Sequence, residues 1–210
     1  MKIISTKALA VPEIKVIRFA RFCDHRGFFS EQFRKSDLID KTDFLKGISF
    51  VQANESFSHK GVVRGMHFQW NPYMGKLVRT LNGRMIDLVL DIRKGSSTFG
   101  KMIAYEMPAS FSQDYTEWIW VPPGFAHGNF FLEESQIEYF CSGEYSQGCE
   151  AGISPLAADI DWSLCEPALK DLFTKVVSQD LLITDKDRNG FSLAAWSENP
   201  HSNNFIHGKL

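Results

Sequence analysis

Apolar and polar residues alternate with a period of two along much of the chain, the spacing expected of half-buried strands. The longest such stretch is KLVRTLNGRMIDLVLDIR, residues 76–93. Asn82-Gly83 at its centre is a strong hairpin signal, because both residues tolerate positive φ. A two-residue turn there sets Val78 opposite Asp87 and Lys76 opposite Val89. It gathers Lys76, Val78, Met85, Asp87 and Val89 on one face, and Leu77, Leu81, Leu88, Leu90 and Ile92 on the other. An ammonium beside a carboxylate on the less apolar face fits a barrel interior that holds a ligand, and fits a solvated surface equally well.

The same alternation predicts further strands. Residues 3–22 are strand-like with a break at Pro12, and the turn at Asp24-His25-Arg26-Gly27 leads into a strand with Phe29, Glu31 and Phe33 on one face. Ser36-Asp37 can cap a short helix to about Lys41. SFVQANESFS puts Gln52, Asn54 and Ser56 on one face. In GVVRGMHFQ, Arg64 and His67 are three apart and point to opposite faces of a regular strand; a bulge at Gly65 turns both inward. The runs KMIAYEM, TEWIWVPPGFAHGNFF and QIEYFCSGEY add strands and a Pro-Pro-Gly turn. Leu169, Leu172, Phe173, Val176 and Val177 have helical spacing between Pro167 and about Gln179. Many short strands with Gly and Pro turns predict an all-β antiparallel barrel or sandwich, a single domain over 1–198, with a polar, loosely held tail at 199–210.

Composition narrows the class. The 210 residues are 44% hydrophobic and 23% charged, ordinary for a globular domain, and a net charge of −2 gives no electrostatic case for nucleic acid or an anionic membrane. The eighteen phenylalanines suit strands and stacking surfaces. No apolar run approaches a membrane span and MKIISTKALA has no signal-peptide core, so a cytoplasmic protein is expected. Cys23, Cys141, Cys149 and Cys165 form no Cys-x-x-Cys pair and are expected to be reduced thiols.

Candidate chemistry centres on His67, Lys76 and His127, with Arg64 and Gln69 nearby in sequence. A histidine in a core is ordinarily a hydrogen-bonded structural residue, and it is the company of these groups that points to a site. Two histidines and a glutamine raise the question of a metal, but there is no His-x-His pair and no obvious third ligand. Neither a Gly-rich phosphate loop nor a Gly-x-Ser-x-Gly elbow is present.

FCDHRGFFSEQF, VQANESFSHKGVVRGMHFQ, GKLVRTLNGRMIDLVLDIRKGSSTFGK and PPGFAHGNFF, in that order, resemble the signature blocks of the dTDP-4-dehydrorhamnose 3,5-epimerase family, over about residues 15–145 with an echo in TDKD at 184–187. The resemblance implies a cupin-like jelly-roll barrel with a few short helices, a homodimer, and no metal or organic cofactor. It implies epimerisation of a nucleotide-linked 4-keto-6-deoxyhexose beside the ketone, through an enolate. By resemblance His67 is the base, Asp187 its carboxylate partner, Lys76 the enolate's cation and His127 a second pocket histidine. Arg26 and Arg64 match phosphate and nucleotide contacts, Phe29 and Glu31 residues that reach the nucleotide, some across the dimer, and Gln52 and Asn54 the pair that reads the base.

Three departures qualify the match. Counting back from Tyr145 puts Phe140 where the family carries its general-acid tyrosine, with Tyr139 pointing the other way. A phenyl ring donates no proton, which points either to epimerisation at only one of C3 and C5 or to water as the proton source. The loop from His67 to Lys76 is one residue short, and residues 146–183 match poorly. Beside the epimerase stand a cupin-type 3,4-ketoisomerase, a non-catalytic nucleotide-sugar binding protein and a metal-dependent cupin oxygenase. Retention of His67, Lys76 and Asp187 together argues against a mere binder.

Overall fold

The computed structural model describes residues 1–179 and 181–210. The strands are β1 (Ile3–Ala8), β2 (Lys15–Ala20), β3 (Phe22–Asp24), β4 (Gly27–Phe29), β5 (Gln52–Ser58), β6 (Val63–Gln69), β7 (Lys76–Asp91), β8 (Met102–Ala109), β9 (Tyr115–Val121), β10 (Phe125–Phe131), β11 (Ser135–Cys141) and β12 (Glu150–Gly152). The helices are α1 (Lys35–Leu38), α2 (Pro167–Gln179), α3 (Asp185–Arg188) and α4 (Leu193–Glu198). One antiparallel layer runs β1-β2-β9-β7-β11-β5 and the other β8-β7-β10-β6-β12. β7 belongs to both, its first half in one layer and its second half in the other.

That shared strand overturns the hairpin expected at Asn82-Gly83. The chain does not reverse there; residues 76–91 are one continuous strand. Val78 pairs with Tyr139 and Ile119 rather than Asp87, and Asp87 pairs with Tyr105 and Asn129. Gly83 does take positive φ, 86°, and a Cβ on it would lie 2.4 Å from the Glu134 carbonyl oxygen. The Asn-Gly signal therefore marks a bend where the strand passes between layers. The ladder slips beside it, with Asn82 opposite Gln136 but Thr80 opposite Ile137. One extra residue shifts the inward-facing set from even to odd positions, so the predicted faces hold although the turn does not. Val78, Met85 and Val89 all lie in the interior core with Ile103, Ile119, Val121, Phe125, Phe131 and Ile137, drawn from both layers.

The outward faces are buried separately. Ile86, Leu88, Leu90 and Ile92 pack under α2 and α4 through Leu169, Phe173, Val176, Leu193 and Trp196. Leu77, Trp118 and Trp120 pack with Leu38, Ile39 and Leu45 from the α1 region. The helix predicted from Pro167 is present. The tail expected to be loose from Asn199 is instead seated: Phe205 is fully buried against Phe68 and Trp196, and Lys94 and Phe205 are joined backbone to backbone. Two short segments also differ from expectation. Glu31 and Phe33 lie beyond β4 rather than on one strand face with Phe29, and α1 spans a single turn. The cysteines are free thiols, and burial pushes the Cys165 thiol up to about 11. Among the described residues, no helix is long and apolar enough to cross a membrane.

Candidate active site

The bulge anticipated at Gly65 is present. His127 pairs with His67 and Asn129 with Arg64, so three steps on β6 oppose two on β10. Gly65 has φ 116°, and a Cβ there would fall 2.5 Å from the Gly128 Cα, so the two backbones approach this closely only with glycine. The extra residue puts Arg64 and His67 on the same side, while Met66 enters the core under α4. Both border a cavity of about 240 Å³ inside the barrel, shared with Lys76, His127, Asn129, Tyr139 and Asp187. A second cavity of about 250 Å³ shares His67, Lys76 and Tyr139 and continues past Gln52, Asn54, Cys141, Tyr145 and Glu150.

Two histidine–carboxylate pairs hold the cavity wall. His67 Nε2 lies 2.7 Å from Asp187 Oδ1. Asp187 reaches it from α3, whose N-cap Thr184 accepts from the Asp187 N–H, and the Gly65 N–H donates to Oδ2. Burial works to raise the Asp187 carboxyl, but the His67 hydrogen bond and charge, the Gly65 N–H and Lys186 outweigh it and leave the group below its ordinary value. An ionised carboxylate only accepts, so Nε2 carries a proton, and in the neutral ring the lone pair is on Nδ1. Among the described residues Nδ1 has no hydrogen-bond partner. His127 Nε2 pairs in the same way with Asp87 Oδ1 at 2.5 Å, in a buried setting. Asp87 was expected beside Lys76; its direct partner is His127.

Lys76, at the start of β7 between β9 and β11, donates a long 3.4 Å hydrogen bond to the His67 carbonyl of the other layer. Burial lowers its ammonium from the ordinary value, against the opposing influence of Cys141, Asp87 and Glu150. At the mouth, Gln52 donates to Asn54 at 3.0 Å and accepts from the Tyr145 N–H at 2.8 Å. Arg64 is anchored by Ser58 Oγ and the Phe57 carbonyl. Arg26, Phe29 and Glu31 border neither cavity. Arg26 is paired with Asp24 on the exposed β3–β4 ribbon, Phe29 is 67% exposed, and Glu31 binds the N-terminal ammonium and Arg34. Among the described residues, no three His, Cys, Asp or Glu side chains are grouped to hold a metal ion.

The assignment of Phe140 to the tyrosine position is corrected by the direction of β11. Ile137, Tyr139 and Cys141 face the cavities. Phe140 faces outward, stacked on Trp118 with ring centroids 5.0 Å apart and packed on Phe33 and Phe50. Strand alternation did separate the two neighbours, and it is Tyr139 that lies on the cavity side. The missed residue was legible, because Ile137, Tyr139 and Cys141 are the apolar-to-amphipathic set of QIEYFC. Burial raises the Tyr139 phenol, which therefore keeps its proton through neutral pH. Glu150 was also missed; at the cavity mouth it accepts from Tyr145, five residues away, and from Lys186, 36 residues away, and no spacing rule ties it to the other site residues.

An imidazole with a fixed tautomer, an ammonium and a protonated phenol around one cavity can remove a proton from carbon, steady the resulting anion and return a proton. Residues 8–195 match the family described as dTDP-4-dehydrorhamnose 3,5-epimerase. The enzyme of that name from Shigella flexneri is 37% identical over 175 residues, covering 81% of this chain and 92% of its own. The solved structure of the dTDP-4-dehydrorhamnose 3,5-epimerase of Sulfolobus tokodaii is 36% identical, with TM-score 0.73, over 92% of this chain and 97% of that one. That of the Legionella pneumophila Philadelphia 1 dTDP-6-deoxy-D-glucose-3,5-epimerase, in complex with dTDP-4-keto-L-rhamnose, is 30% identical with TM-score 0.74 over 90% and 93%.

Proposed function

The chain belongs to the dTDP-4-dehydrorhamnose 3,5-epimerase family, an isomerase family, and on that premise we propose that it inverts C3 and C5 of a dTDP-linked 4-keto-6-deoxyhexose. His67 Nδ1 takes the proton from carbon beside the ketone. The C–H electrons move into a C=C bond, and the carbonyl electrons settle on oxygen as an enolate. Lys76 stabilises that oxyanion, and Asp187 stabilises the imidazolium. Tyr139 then gives a proton to the opposite face of the carbon as the enolate returns to the ketone. Proton exchange with water restores the phenol and the neutral imidazole before the second centre turns over. Substrate and product have the same oxidation level, so no electron acceptor is consumed.

The observation that carries this reading is the placement of base and acid. His67 comes from β6 in one layer and Tyr139 from β11 in the other, and both border the same cavity with Lys76. Inversion needs removal and return of the proton on opposite faces, which groups on opposing layers supply. With Tyr139 in place, the ground for expecting a single centre disappears. Gln52, Asn54 and Arg64 at the mouth suit the nucleotide and its diphosphate. Arg26 and Phe29 on the exposed β3–β4 ribbon, and Glu31 just beyond it, all away from their own cavity, suit a contribution to the site of a second copy in a homodimer.

The test is solvent exchange. In deuterated water with dTDP-4-keto-6-deoxyglucose, NMR should show deuterium entering at both C3 and C5. His67→Ala should remove exchange at both while leaving dTDP affinity within about threefold. Movement of the ketone to C3 would instead identify a ketoisomerase, and no exchange with dTDP still bound would exclude this substrate.

A further inference from the structure

One buried polar side chain of the cavity has neither a role in the chemistry above nor a hydrogen-bond partner among the described residues. Asn129 is 4% exposed, sits on β10 two residues past His127, and borders the cavity with His67, Lys76 and Tyr139. Its Oδ1 is enclosed without a hydrogen-bond partner, and its amide nitrogen has none among the described residues. Leaving a buried carbonyl unpaired is unfavourable, and an aliphatic residue would fill the same position without that cost. The neighbours do not compensate. In register Asn129 faces Asp87 on one side and Arg64 on the other, but neither is bonded to it: Asp87 Oδ1 pairs with His127 while its Oδ2 is likewise enclosed without a partner, and Arg64 is bonded to Ser58 and Phe57.

With neither end held by protein, the amide is free to present its carbonyl or its NH₂ to the cavity. That versatility suits a hydroxyl, which both donates and accepts. The volume of about 240 Å³ corresponds to about eight water molecules, room for a sugar ring. We propose that Asn129 is a specificity residue that hydrogen-bonds a ring hydroxyl at C2 or C3 of the sugar. This rests on the sugar-epimerase reading and adds to it the feature by which the substrate is told from its deoxygenated relatives. A site built to bond a hydroxyl leaves its own polar group unpaired when the hydroxyl is missing, and so rejects the deoxy compound.

The test compares dTDP-4-keto-6-deoxyglucose with its 2-deoxy and 3-deoxy counterparts, measuring calorimetric affinity and the rate of deuterium exchange. Wild-type protein should lose about 10- to 100-fold on one deoxy compound. Asn129→Leu, and Asn129→Ala if the leucine is too large, should treat that compound and the parent alike within about threefold. Asn129→Leu should also melt no lower than wild type, because it removes an orphaned oxygen. A wild-type protein indifferent to both deletions, a variant that still discriminates, or a melting temperature lowered by more than about 5 °C in both variants would overturn the assignment. Absence of exchange in wild type would count against the reaction alone, since the affinities still report on Asn129.

Discussion

A carbon acid beside a ketone is weak, so the identity of the proton donors and acceptors around it decides the outcome. At residue scale this turns on two neighbours with opposite surroundings. Tyr139 borders the cavity with its phenol held protonated by burial, while Phe140 is stacked on Trp118 outside. Tyr139→Phe should lower kcat for epimerisation by about 10²–10⁴-fold, the ordinary worth of a positioned acid, while His67-dependent exchange persists more strongly than product formation. Phe140→Tyr should leave turnover unchanged, because its hydroxyl would point into the outer aromatic cluster. A gain of activity in Phe140→Tyr, read by the same NMR assay, would restore the assignment of the acid to position 140.

At the scale of elements, two irregular strands make the site. The β6 bulge turns His67 to the same side as Arg64, and the β7 bend carries Lys76 and Asp87 to one interior across two layers. Gly65→Ala places a methyl carbon 2.5 Å from the Gly128 Cα and asks alanine to hold φ 116°. The cost should be about 2 kcal/mol or more, with β6 and β10 forced apart. Chemical denaturation should report that loss. Activity should fall further than stability alone explains, since the base sits two residues along the displaced strand.

For the whole molecule, burial of the barrel interior sets the working pH range. The Lys76 ammonium is lowered by desolvation, so its charge is lost at a lower pH than an exposed lysine's. The pH profile of kcat/KM should therefore fall on its alkaline side below lysine's ordinary range, and Lys76→Arg should flatten that limb by keeping the charge. Asp187 has the opposite sign. Its carboxyl is lowered on folding, so its contribution to stability is fully present above the ordinary carboxylate value and is lost as pH falls through the lower folded value. Asp187→Asn should make stability less dependent on pH in that acidic window, measured by thermal melts across pH.

The sequence by itself determined the strand content, the inward set on β7, the helix from Pro167 and the blocks that carry His67, Lys76, His127 and Asp187. These are local: alternation, helical spacing and turn chemistry act over a few residues, so they are visible in a few residues. It also contained the bulge at Gly65, because a glycine between two polar residues three apart has few other uses. Only the tertiary structure decided that Asn82-Gly83 is a bend between layers. A glycine at positive φ serves a turn or a bulge alike, and the choice depends on which strands lie alongside. Tertiary packing alone decided that Phe205 closes the core from the tail, that Asp87 belongs to His127, and that Tyr139 faces the cavity where Phe140 does not. Those outcomes depend on partners as much as 137 residues distant, such as Phe68 and Phe205, whose meeting no local pattern records.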